Sequence, residues 1–409
     1  MRYIAAAYAA CLTFLSAIAL IGAVVLFEET GPDSAAEAAA DRHAFNFVTW
    51  ELEKFPQKWL YKIGDAFRDD EGNDDEVLRR YFALSEEINR LAAEDPASGE
   101  LADATDERRG LEARVEDIIE GRVTSILEEE GMALRPPIFS DLGIIFPPVD
   151  FELDEPVRVL AVSARDRIQL EGSHLLSPGL DRETALDIES EVEAEDEGVS
   201  ALVVVSGGVA TYPATVNAGR SYESLIDTVF HEWLHHYLAF FPLGRSYFEG
   251  DEARTLNESA ANIGGREFAR LYFEKYGPLN PPPPTPSPEP SPTPEPEPPS
   301  GEEPFDLTAA MRALRVEVEA LLADEEVEEA ETLMEEKRQE FEGEGYFIRR
   351  LNQAYFAFYG FYADTGASID PIGPNFETLL ERSETPGEFV RTAQAITSRA
   401  ELEALLAAD

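Results

Sequence analysis

The amino-acid sequence predicts an α+β chain, mostly helical, with an apolar span at its start and a small mixed sheet ahead of a histidine-bearing helix. Three observations predict it. Residues 3–27 form one unbroken apolar run. Two stretches before residue 130 repeat apolar side chains at helical spacing. Short β-rich runs between residues 157 and 212 lead into His231, His235 and His236, three of only five histidines in the chain.

The run from Tyr3 to Phe27, at about 1.5 Å per residue, is long enough to cross a hydrocarbon core of about 30 Å. Arg2 precedes it and Glu28 and Glu29 follow it, which places the start in the cytoplasm and the rest outside. Residues 1–29 are therefore read as a single-pass transmembrane anchor of the cell membrane. The alternative is a cleaved signal peptide and a secreted product. Residues 30–42 read as a polar spacer. Cys11 is the single cysteine, so no intramolecular disulfide can form.

Residues 43–135 read as a helical unit. Val77, Leu78, Tyr81, Leu84, Ile88 and Leu91 fall on one face of a helix over 75–93. Leu111, Val115, Ile118, Ile119, Val123, Ile126 and Leu127 do the same over 106–129, with Gly121 as a weak point.

Residues 136–409 read as one further domain. Its strands are expected at 157–162, 168–170, 199–205 and 209–212, with an acidic segment at 181–197. The proline-rich tract at 277–304 cannot form a core and reads as a disordered insertion in this domain. One acidic helix over 306–342, an aromatic-rich helix over 346–364 and a final helical stretch are expected after it.

The net charge of −49 argues against nucleic acid as a partner, because polyphosphate would be repelled. The chemistry concentrates at His231-Glu232-Trp233-Leu234-His235, an H-E-x-x-H pattern. On a helix two imidazoles four residues apart lie on one face and can reach one zinc ion, and the glutamate beside the first points at the open coordination site. Ser221 is a candidate N-cap, and Leu225, Ile226, Val229, Phe230, Trp233, Leu234 and Tyr237 supply apolar faces. A third ligand is expected at Glu258, 23 residues after His235, where Leu256-Asn257-Glu258 opens a second helix.

His231, His235 and a downstream Glu258 on a second helix resemble the gluzincin zinc metallopeptidases. Asn257-Glu258-x-x-Ala261 is similar to the N-E-x-x-A helix of that group. The carboxyl-terminal pieces Leu351-Asn352-Gln353-Ala354 and Tyr359-Gly360-Phe361-Tyr362 look like the tail of bacterial zinc aminopeptidases. The resemblance implies a zincin-like domain, one zinc per chain, Glu232 as general base and hydrolysis of peptide bonds, exo or endo. It covers about 225–270 and 349–397. Thermolysin-like members carry an aspartate where Asn262 stands, so Asn262 is the residue expected to orient a ligand histidine. Aminopeptidases of the group use a tyrosine at the oxyanion. Asn352, Tyr355, Tyr359 and Tyr362 lie on one stripe, with Tyr359 and Tyr362 preferred for that role and a plain core stripe as the bland reading.

His236 is expected to face away from the metal. Asp227 reads as a surface residue, and His43 and His174 belong to no pattern. Residues 207–210 are either a turn and strand or an edge that pairs with a peptide substrate. The competing function is a membrane-tethered zincin-fold protein that binds or scaffolds without catalysis. An intramembrane protease is excluded, because the H-E-x-x-H helix is amphipathic and the chain has one span.

Overall fold

A computed structural model describes residues 35–45, 73–95, 97–133, 145–279 and 305–408. The anchor or signal expected at 1–29, residues 46–72 of the expected helical unit, and all but the first residues of the proline-rich tract lie outside them. Among the described residues no helix is long and apolar enough to cross a membrane.

The fold is α+β and mostly helical, as the periodicities predict. Helices α1 (Ala35–Asp41), α2 (Asp74–Glu94) and α3 (Gly99–Glu129) come first. Strands β1 (Phe151–Asp154), β2 (Arg158–Ala164) and β3 (Leu170–Leu176) follow, then α4 (Arg182–Glu195) and β4 (Val199–Val205). Strands β5 (Gly208–Val209) and β6 (Ala214–Asn217) lead into α5 (Tyr222–Leu238), α6 (Pro242–Arg245) and α7 (Asp251–Tyr276). Beyond the proline tract come α8 (Leu307–Ala323), α9 (Val327–Gly343), α10 (Gln353–Tyr359), α11 (Ile372–Arg382), α12 (Pro386–Ala393) and α13 (Arg399–Ala407).

The strands form two small sheets. In the first, β2 is central and antiparallel to both β3 and β4. Its period of two explains the unbroken apolar run of β4. Ala201 and Val203 pack with α4 on one face, while Leu202 and Val204 meet Ala354 of α10 on the other. The second sheet is mixed: β6 runs parallel to β1 and antiparallel to β5. It sits beside α5 in the main core, which also takes in α2, α3, α7 and the last three helices.

Several elements differ from the sequence expectation. The acidic segment is a helix, α4. Its Glu189 is fully buried because Arg349 and Arg350 pair with it and the Val203 amide donates to it. The single acidic helix is a hairpin, α8 and α9, broken at Asp324–Glu326 where Glu325 takes a left-handed φ of 64°. The turn lets Met311, Leu314, Val318 and Leu322 fold onto Ala330, Met334 and Phe341. The aromatic helix shrinks to α10. Asn352 caps it, accepting from the Tyr355 amide at 3.0 Å and donating to the Ala201 carbonyl at 3.0 Å. The strand expected at 209–212 stops at Val209, and the chain re-enters the sheet as β6, which was not foreseen.

Candidate metal centre

Helix α5 starts where Ser221 accepts a hydrogen bond from the Ser224 amide. Helix α7 lies against it at very short range. A Cβ on Gly265 would stand 3.2 Å from the His231 backbone nitrogen, and one on Gly264 would meet Leu234 and Val390 at 3.2 Å. Because the second helix begins at Asp251 and not near Thr255, Glu258 lies in its interior, two turns in, opposite the histidines.

His231, His235 and Glu258 converge. The two imidazole Nε2 atoms are 3.0 Å apart, and the Glu258 Oε2 lies 3.5 Å from that of His231 and 3.4 Å from that of His235. Among the described residues this is the one group whose side chains could hold a metal ion. Glu258 Oε2 is buried with no hydrogen-bond donor, an orphan that a cation would satisfy. Burial would lower the pKa of His235, but the Glu258 carboxylate outweighs it and the net is a rise to about 9. Burial acts against the Glu258 carboxylate too, yet His235 and His231 hold its pKa well below the usual range.

Two residues that the sequence reading did not single out support the ligands. Asn257 Oδ1 lies 2.8 Å from His235 Nδ1, and the Tyr247 hydroxyl donates to Glu258 Oε1 at 2.6 Å. Asn257 was visible only as part of a motif, and Tyr247 carried no signal in the sequence. Asn262 does not take the orienting role expected of it. Its side-chain amide donates to both oxygens of Asp364, at 2.9 and 2.8 Å. The neighbour that bonds to a ligand histidine is Asn257, because it sits one position before Glu258 on the face turned to α5.

Glu232 is buried and makes up no part of the ligand triangle. Burial raises its pKa, offset in part by His231 and His235. A Cβ at Gly208 would stand 2.4 Å from Glu232 Oε1, so only glycine lets β5 lie this close to the carboxylate. His236, adjacent to a ligand, turns away as expected. It is buried, bonds through Nε2 to the Thr211 carbonyl, and burial pushes its pKa down to about 4. It thereby ties the segment after β5 to α5.

The two preferred tyrosines part company. Tyr362 has its ring 6.1 Å from that of His231, and the charge of Glu258 followed by burial raises its pKa well above 10.0. Tyr359 packs on Tyr355 and Phe358, at 4.6 and 5.2 Å between ring centres. Tyr355 belongs to the same aromatic packing, and Asn352 is spent on capping α10. The stripe does not hold as one helical face because α10 ends at Tyr359, before Tyr362. The segment carrying Tyr362 is strapped to α7 instead. Ser259 Oγ accepts from the Ala363 amide at 3.1 Å, and Arg266 pairs with Asp364 at 2.8 Å.

Compared with models of known protein families, with curated proteins and with solved structures, the chain matches none of them, so the residues of this centre carry the functional argument by themselves.

Proposed function

We propose that the chain is a zinc-dependent hydrolase of peptide bonds, acting outside the cytoplasmic membrane to which residues 1–29 tether it. The observation that carries the reading is Glu232: a buried carboxylate next to ligand His231, outside the ligand set, with its pKa raised. Such a group is a general base in waiting.

Zinc fits the donors. Bonds of about 2.0–2.1 Å in a tetrahedron give ligand-to-ligand edges of about 3.3–3.4 Å. The observed separations of 3.0, 3.4 and 3.5 Å bracket that edge. Three protein ligands leave one position free, as hydrolytic zinc sites do. Bound zinc supplies Lewis acidity, polarising a carbonyl and making water a stronger acid.

The protein does the rest. Glu232 takes a proton from the attacking water and returns it to the leaving amine. The Tyr362 hydroxyl stays protonated at working pH, because its pKa is raised, and donates to the oxyanion as charge develops there. Asn257 fixes the ring of His235, and Tyr247 holds one oxygen of Glu258 so that the other faces the metal position.

The test is metal content and peptide cleavage by the full chain in detergent, beside His235→Ala, Glu258→Ala and Glu232→Gln. One zinc per chain, lost in the first two variants, with cleavage lost in the third, is the expected result. Zinc without cleavage leaves a membrane-tethered binding or scaffold protein, and no zinc removes the reading altogether.

A further inference from the structure

Arg220 is the residue just before the N-cap of α5, close to the proposed site. Many arginines of the chain find carboxylates, as Arg165 does with Glu331 at 2.6 Å, Arg350 with Glu193 at 2.7 Å and Arg399 with Asp370 at 2.6 Å, while Arg312 and Arg391 donate to backbone carbonyls. Arg220 has no such partner among the described residues. One of its terminal nitrogens donates to the Ser224 hydroxyl, and its Nε is buried with no partner. Burial pushes its pKa down, with Glu232, Asp227 and Tyr362 acting on its charge from a distance.

The position is built. A Cβ at Gly207 would lie 2.1 Å from one guanidinium nitrogen and 3.0 Å from its carbon. Gly207 thus leaves the room that Arg220 fills, as its neighbour Gly208 does for Glu232. The two neighbouring glycines thus give room to a guanidinium and to the proposed base, and the charge of Glu232 is among those that act on Arg220. A half-buried cation whose Nε has no partner is costly unless an anion lies near it, and a planar guanidinium matches a carboxylate with two parallel hydrogen bonds.

We propose that Arg220 is a substrate-binding residue that receives a carboxylate of the peptide, its free carboxyl terminus in the first instance. The inference rests on the hydrolase reading and refines it. A cation at this place favours the carboxyl end of a peptide and repels the ammonium that an aminopeptidase must hold.

The experiment separates the two readings. Binding of N-acetyl-leucine and of its amide to the zinc-loaded full chain is measured by calorimetry, for wild type, Arg220→Gln and Arg220→Lys. Cleavage of neutral N-acetyl peptides ending in a carboxylate or a carboxamide is followed in parallel, with an amidated peptide carrying one glutamate as a third substrate. The acid is expected to bind roughly tenfold to a hundredfold more tightly than the amide. Arg220→Gln should close that gap with zinc content unchanged, acting on KM more than on kcat, and Arg220→Lys should restore part of it. If the glutamate peptide matches the free acid, the carboxylate site stands and its source is a side chain. Equal binding of acid and amide, or a gap that survives Arg220→Gln, overturns the proposal while leaving the hydrolase reading intact. A binding gap with no cleavage of any peptide does the reverse.

Discussion

Asn257 Oδ1 accepts from Nδ1 of His235 at 2.8 Å, while the amide nitrogen of Asn257 lies 3.4 Å from the Leu243 carbonyl. The residue beside one ligand therefore sets the ring of another, and both ends of its own amide are used. With Nδ1 carrying the hydrogen, Nε2 keeps its lone pair for a metal. Asn257→Ala is expected to weaken zinc binding by about tenfold to a hundredfold. Competition against a chelator of known affinity reads this out, and an unchanged affinity would show that the ring needs no such guide.

Metal uptake should depend on pH in a definite direction. His235 is pushed up to about 9 from 6.5 in the chain without metal, chiefly by Glu258 acting against burial. A raised pKa means that the pair stabilises the metal-free fold fully below about 6.5 and loses that contribution as pH rises through about 9. Zinc has to displace this proton, so its apparent affinity should climb by up to about tenfold per pH unit below about 9 and flatten above it. Chelator competition across that range, with proton release measured by calorimetry in two buffers, tests the sign. An affinity that falls with rising pH would contradict it.

Gly208→Ala separates metal binding from chemistry. The added methyl would stand 2.4 Å from Glu232 Oε1 and 2.9 Å from its Cγ, so the base must move or the strand must back off. The three atoms nearest to that methyl all belong to Glu232. Peptide cleavage should fall by more than about tenfold with zinc content held at one per chain; loss of zinc instead would mean that β5 supports the ligands themselves.

Asp364→Ala tests the strap under Tyr362. The Asp364 side chain is only 6% exposed and takes hydrogen bonds from Asn262 and Arg266. Removing it strands the Asn262 amide, while Arg266 keeps Glu377 at 2.6 Å, and should cost about 1–3 kcal/mol of stability, read as a lower Tm. It should also lower kcat with little change in zinc affinity, and a normal kcat would take Tyr362 out of the reaction.

Much of this was legible in the sequence, for identifiable reasons. The H-E-x-x-H spacing fixes two ligands on one turn of helix, and Ser221 marks that helix's start. β4 was legible because five successive apolar residues fit a strand covered on both faces. Other features depended on partners far along the chain. Glu189 reads as a surface charge until Arg349 and Arg350 reach it from about 160 residues away. Tyr247 and Arg220 carry no spacing rule, and Asn262 sits at a motif position yet pairs with Asp364, so each takes its role from a neighbour that only the fold supplies. The start of α10 was missed because Asn352 looked like one more residue of a stripe and is in fact its N-cap.

Gly264 and Gly265 bring α5 and α7 together inside the main core, where Phe230 and Phe268 also meet at 5.6 Å between ring centres. Two ligands ride on one of these helices and the third on the other. A metal held by His231, His235 and Glu258 would tie these two helices to each other, so parting them would also break its bonds to the protein. Bound metal would thereby add its binding free energy to the resistance of this helix pair to unfolding, read as a Tm that falls on chelation.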